Sequence, residues 1–212
     1  MSKTEPDVRT GADGVTRCYW CGDDPLYLRY HDEEWGFPTA DDRYLFEKLC
    51  LEGFQAGLSW LTVLRKRENF RQAFRGFEIE AVARFTRRDV NRLLTDAGII
   101  RHRGKIESAI NNARRTIELI ETCGSLAAFI WPFEPAPGSR PRRLDRRVLA
   151  ALTQTPQSAA LGRALKERGF TFIGPTTAYA YMQSVGLVND HLARCAIRTR
   201  VEAARSRFLR PN

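Results

Sequence analysis

The chain has 212 residues, 43% of them hydrophobic, enough to bury a core of its own without disulfide staples. Its apolar runs break well short of the roughly 20 residues that span a bilayer, and MSKTEPDVRTGADG at the start carries no cleavage signal, so a soluble, cytoplasmic protein with no membrane contact is expected. Against 25 acids stand 34 Lys and Arg, a net charge of +9, which favours polyanionic partners, nucleic acid first.

Residues 1–16 are polar and rich in turn formers, and an unstructured extension is expected there. After Asp41 and Asp42, plausible N-caps, DRYLFEKLCLEGFQAGLSW places Leu45, Phe46, Leu49 and Leu51 at helical spacing. Gly57 and Ser59 interrupt it, and Ser59 is suited to cap a second helix over WLTVLRKRENFRQAF. Thr86 and Asp89 form a capping box for TRRDVNRLLTDAG, whose stripe of Val90, Leu93, Leu94 and Ala97 stops at Gly98.

Ile106, Ile110, Ala113, Ile117 and Ile120 make the next helix, RGKIESAINNARRTIELIE, and the short basic connection AGIIRHRGK joins the two. WPFEPAPGSRP reads as a loop. Helical patterning resumes in SAALGRALKERG and TTAYAYMQSVGL, and no alternating strands are visible. The expectation is an all-α protein with one helical domain over residues 17–196 and a basic tail over 197–212.

The five cysteines, an odd number without regular spacing, suit reduced thiols and metal ligands better than disulfides. In NDHLARC, His191 and Cys195 are four apart, which on a helix is one face. CYWCGDDPLYLRYH offers Cys18, Cys21 and His31. A set of Cys18, His31, His191 and Cys195 would close a zinc shell and make the metal structural. The C-x-x-C of Cys18 and Cys21 lets Cys21 take the place of His31. His31-Asp32-Glu33 also imitates the H-x-E of zinc deaminases, although here the cysteines come first and lack the preceding proline.

YHDEEWG, LCLEGFQAGLSWLTVLRKRENF, DAGIIRHRGKI and GLVNDH, in this order and covering most of the chain between Cys18 and Cys195, resemble the 3-methyladenine DNA glycosylase I family. The resemblance implies a helix-hairpin-helix glycosylase fold in which structural Zn2+ on Cys18, His31, His191 and Cys195 joins the N- and C-terminal segments, with Cys21 a bystander. It implies a monofunctional enzyme hydrolysing the N-glycosidic bond of 3-methyladenine, flipped out of alkylated double-stranded DNA into a pocket, and a monomer by the habit of the superfamily.

The same resemblance places Glu52 in the pocket as the catalytic carboxylate, Tyr30 and Trp60 as the pair that stacks on the base, and Trp20 and Trp35 as walls. Gly57 and Leu58 become candidates for filling the gap in the duplex. In the hairpin, Gly98 and Gly104 let backbone amides approach a phosphate, while Arg101, His102, Arg103 and Lys105 add charge. Because the family is monofunctional, Lys105 is expected to touch phosphate and not to form a Schiff base. Asp190, the carboxylate nearest the region where many hairpin glycosylases keep a catalytic aspartate, receives little catalytic weight. Two other classes stay open: a catalytically silent DNA-binding module, and a zinc hydrolase or deaminase built on His31 and Glu33.

Overall fold

The computed structural model describes residues 7–211, and over these the chain is mostly helical with a single two-stranded sheet. Strands β1 (Val8–Thr10) and β2 (Thr16–Cys18) pair antiparallel with Arg9 opposite Arg17. This corrects the expectation of an unstructured extension for residues 7–16, while residues 1–6 lie outside the described ones. The turn formers belong to the tip of a hairpin that is tied down electrostatically. Arg17, only 7% exposed, reaches Asp13 and Asp32 at 2.7 Å each, and Asp7 accepts the Arg146 backbone N–H at 3.0 Å.

Helix α1 (Pro25–Glu33) starts on Asp24, whose carboxylate accepts from the amides of Leu26 and Tyr27, with Pro25 at the first position. Asp41 caps α2 (Asp42–Gln55) as expected. Every residue of α2 from Leu45 to Phe54 is buried, including Glu47, Lys48 and Glu52, because α7, α8 and α11 surround it. The helix ends before Gly57, which takes φ +81°, a left-handed conformation suited to glycine.

Ser59 caps the next helix, but the expected single helix is two, α3 (Trp60–Arg65) and α4 (Arg67–Ala73). The break falls at Lys66, whose ammonium donates to the carbonyls of Ala97 and Gly98 at 3.0 and 3.2 Å, fastening this corner to the basic connection. After α5 (Ile79–Ala83), the capping box of Thr86 and Asp89 opens α6 (Arg87–Thr95), and α7 (Arg103–Cys123) follows across the connection.

The remaining helices are α8 (Leu126–Ile130), α9 (Arg146–Ala151), α10 (Pro156–Glu167), α11 (Pro175–Ser184) and α12 (Ile197–Arg207). The basic tail is thus largely α12, anchored by buried Ile197 and Val201. These join Cys18, Leu144, Leu192 and Cys195 in a second, smaller core beside the main one. No helix among the described residues is long and apolar enough to cross a membrane.

Candidate functional site

A cavity of about 290 Å3 opens between α1, α2, α3, α9 and α11, and Trp20, Tyr30, Trp35, Trp60 and Glu52 all line it. The four aromatic residues the sequence singled out therefore stand around one space. Tyr30 and Trp60 face each other with ring centroids 5.3 Å apart, and Trp20 meets Trp35 edge-on at 4.7 Å. Trp60 Nε1 is buried without a hydrogen-bond partner among the described residues. Gln55 and Gln183, which sequence reasoning passed over, add amide groups to the lining.

Glu52 is 4% exposed. Burial pushes its carboxyl up to about 7, and the nearby Lys48 ammonium limits the rise. Lys48, one helical turn before Glu52 and fully buried, is pushed down to about 7 by burial against the opposing pull of Glu52. Its Nζ donates to the Tyr30 hydroxyl at 3.0 Å and lies 4.4 Å from the ring centroids of both Tyr30 and Trp60. Glu52 at the cavity and Lys48 buried beside it, four residues earlier on α2, thus have mutually dependent protonation. That spacing was visible in EKLCLE and was the signal that could have found Lys48.

Behind the Trp20 and Trp35 wall, Cys18, His31 and Cys195 gather with their ligand atoms all within 4.8 Å of one another, and all three residues are buried. The His31 Nδ1 contacts Asp32 Oδ1 at 2.7 Å, while Nε2 faces the Cys18 N–H at 3.4 Å and Cys195 Sγ at 3.6 Å. A carboxylate on Nδ1 keeps the proton there and leaves the Nε2 lone pair for a metal. The Cys195 thiol is drawn down to about 4 by a hydrogen bond from Cys18 and by His31, and the Leu192 N–H donates to Cys18 Sγ at 3.3 Å. Two thiols and an imidazole, one sulfur already favouring thiolate, are a donor set that fits zinc.

The fourth residue of the expected set stands beside this triad rather than within it. The ring of His191 is 4.7 Å from that of His31, with Nδ1 3.0 Å from Asn189 Oδ1 and Nε2 3.2 Å from the His31 carbonyl oxygen. Its segment is a turn and not a helix: the Cys195 N–H reaches the Leu192 carbonyl, and the Ala196 N–H reaches that of Thr16 on β2. Cys21 points elsewhere, donating to the Cys18 carbonyl at 3.0 Å. Glu33 is exposed and outside the cluster, so the deaminase geometry does not form.

The α6–α7 connection leaves Arg101, His102 and Arg103 exposed, with His102 capping α7 by accepting the Lys105 N–H at 3.2 Å. A Cβ on Gly98 would meet Asp96 Oδ1 at 2.9 Å and Asn69 at 3.2 Å, so this glycine first serves the close approach of the connection to α4. Lys105 corrects its expected role. It is 8% exposed, and its ammonium donates to the carbonyls of Phe54 and Ala56 at 2.9 and 2.6 Å. Those carbonyls lie at the C-terminal end of α2, where orphan acceptors and the helix dipole both favour a cation. Leu58, in the loop Lys105 braces, is 42% exposed. Asp190 is fully buried and accepts from Arg140, Tyr179 and Gln183.

Residues 20–199 match the family model described as methyladenine glycosylase. The chain belongs to the methyladenine glycosylase family. It is 49% identical over 182 residues to DNA-3-methyladenine glycosylase 1 of Escherichia coli (strain K12), an overlap covering 85% of this chain and 96% of that one. A crystal structure of 3-methyladenine DNA glycosylase I superposes with a TM-score of 0.79 at 49% identity, covering 85% of this chain and 98% of that one. A substituted 3-methyladenine DNA glycosylase I in complex with 3-methyladenine gives 0.77 at 36% identity, covering 82% and 93%. The methyladenine glycosylase match takes in most of the cavity lining, the α6–α7 connection, His31, His191 and Cys195, and begins just after Cys18.

Proposed function

We propose that this chain is a monofunctional DNA glycosylase that hydrolyses the N-glycosidic bond of 3-methyladenine in alkylated double-stranded DNA, the first step of base-excision repair. The observation that carries the reading is the cavity itself: an aromatic pair, Tyr30 and Trp60, over a buried carboxylate, Glu52. A relative of the same fold is known in complex with 3-methyladenine.

Adenine methylated at N3 in DNA is positively charged, and a cation over aromatic faces gains roughly 0.5 to 2 kcal/mol. Such a base is already a good leaving group, so positioning and electrostatics can carry most of the catalysis. As the bond from C1′ to the base breaks, its electron pair goes to the ring nitrogen and neutralises the base. Positive charge develops on the sugar, where water then adds. Glu52, ionised, favours the cationic base on entry and the sugar cation as it forms. Tyr30 and Trp60 hold the flipped base, with Trp20 and Trp35 as walls. Lys48 orients Tyr30 through its hydroxyl.

Backbone amides at the start of α7, with Gly98, Arg101, Arg103 and Gly104 around them, are read as the phosphate contacts of a helix-hairpin-helix element. Gly57 and Leu58 are read as filling the gap left in the duplex. Cys18, His31 and Cys195, with His191 as fourth, would hold Zn2+, which when bound staples the two ends of the chain and does no chemistry. His191 suits the fourth place when its ring proton sits on Nδ1 facing Asn189 Oδ1, because Nε2 then keeps a lone pair, and its ring packs 4.7 Å from that of His31.

The test is release of free bases from methylated duplex DNA, separated by chromatography. Release of 3-methyladenine is expected. DNA binding with no base released would replace the enzyme by a binding module.

A further inference from the structure

Phe172 stands in the connection between α10 and α11 with φ +57°, a region that costs a bulky residue free energy. Phe77 takes a similar φ but is fully buried, so its packing offsets the strain. Phe172 is 42% exposed and has little such compensation. Its conformation is held from behind. The Thr171 N–H donates to Asn112 Oδ1 at 2.9 Å, and the Thr171 carbonyl accepts from Asn112 Nδ2 at 3.1 Å and Ser108 Oγ at 3.0 Å. Ser108 and Asn112 are buried on α7, the helix that begins at the basic hairpin.

The ring held in this way lies beside that hairpin. Its centroid is 6.2 Å from that of His102, and a Cβ on Gly104 would sit 3.4 Å from its Cζ. The Phe172 Cβ and carbonyl lie against Gly53, in the last turn of α2, from which the chain runs on to Gly57 and Leu58. Exposed Arg101, His102 and Arg103 therefore share a neighbourhood with Phe172. Aromatic and cationic groups interleaved in this way suit nucleic acid, since a ring can stack on a base or sugar while the cations meet phosphates.

We propose that Phe172 is a DNA-contacting residue, preset by its backbone and stacking on the duplex beside the lesion. The inference rests on the glycosylase reading. Phe172→Gly tests it, because glycine adopts this φ without strain. Three quantities are measured at fixed salt: affinity for a duplex carrying a stable abasic analogue, thermal midpoint, and affinity for free 3-methyladenine. Expected are about tenfold weaker DNA binding, a midpoint equal or higher, and unchanged affinity for the free base, with Phe172→Trp keeping the DNA affinity of the parent. DNA binding within twofold of the parent, while the parent excises normally, would overturn the inference alone. Loss of DNA binding accompanied by a lower midpoint or weaker free-base binding would also overturn it, as a structural effect. A parent protein that neither binds DNA nor excises would remove the glycosylase reading and this inference together.

Discussion

Replacing Glu52 by glutamine keeps its shape and removes its charge, which isolates the electrostatic role assigned to it. A carboxylate about 4 Å from a cationic ring, at an effective dielectric near 20, contributes about 4 kcal/mol. Most of this is felt before the bond breaks, because the base enters already charged, and only the part that grows toward the transition state accelerates the reaction. Single-turnover excision from methylated duplex should therefore fall about 10- to 100-fold, well short of the full Coulombic figure. Binding to undamaged DNA and zinc content should persist.

The pH profile is the sharper assay. With the carboxyl held up near 7 by burial, excision by the parent should rise as pH increases through that value, and Glu52→Gln should flatten this limb. Stability follows the opposite sign over the same range. Between the ordinary 4.5 and about 7 the folded carboxyl holds a proton that the unfolded one has lost, so its contribution to stability falls as pH rises. The variant should lack that decline. An unchanged single-turnover rate with the same pH limb would remove Glu52 from the mechanism.

Cys18→Ser should lower bound zinc by elemental analysis and depress the thermal midpoint by roughly 5–15 °C, whereas Cys21→Ser, whose thiol donates to the Cys18 carbonyl, should keep both. Lys105→Met leaves the carbonyls of Phe54 and Ala56 without their donor and should cost about 1–3 kcal/mol in urea unfolding. Arg101→Ala should leave stability alone and reduce the salt slope of DNA binding by about 1. Lys48→Met removes a fully buried ammonium together with its bond to Tyr30 and its place over two rings and should lower the midpoint. It also deprives Glu52 of the cation that holds its carboxyl down, so the excision limb should move to higher pH.

The elements legible in the sequence were those specified by local chemistry. Asp41, Ser59 and the pair Thr86 and Asp89 cap the helices they were expected to cap, because a side chain two or three residues away satisfies each free amide. Asp24 with Pro25 gave the same signal for α1 and was overlooked among the metal candidates. What local chemistry does not specify was misread. Residues 7–16 look disordered by composition, yet Arg17 ties Asp13 at the hairpin's tip to Asp32 on α1 and so fixes it. Lys105 reads as a surface cation in RHRGK. Its partners are carbonyls about 50 residues earlier, which no local pattern could disclose. The aromatic residues around Glu52 were legible by type, but the Lys48 ammonium against both Tyr30 and Trp60 became apparent only once the three helices were packed.

Packing also joins the cluster of Cys18, His31 and Cys195 to the cavity. Tyr30 and His31 are consecutive on α1, so one helix sends a ring into the cavity and the next side chain into the cluster. Trp20 lies 5.1 Å from the His31 ring and Trp35 4.7 Å from that of His191, while the two indoles touch each other at 4.7 Å. The cavity wall of Trp20 and Trp35 is thus packed against His31 and His191, two of the groups read as zinc ligands. Cys18 and Cys195 come from opposite ends of the chain, and the cavity wall would be only as rigid as their junction. A structural metal at that junction would limit the motion of Trp20 and Trp35 without taking part in the bond cleavage, because preorganised aromatic walls matter to a reaction that depends mainly on holding a charged base in place.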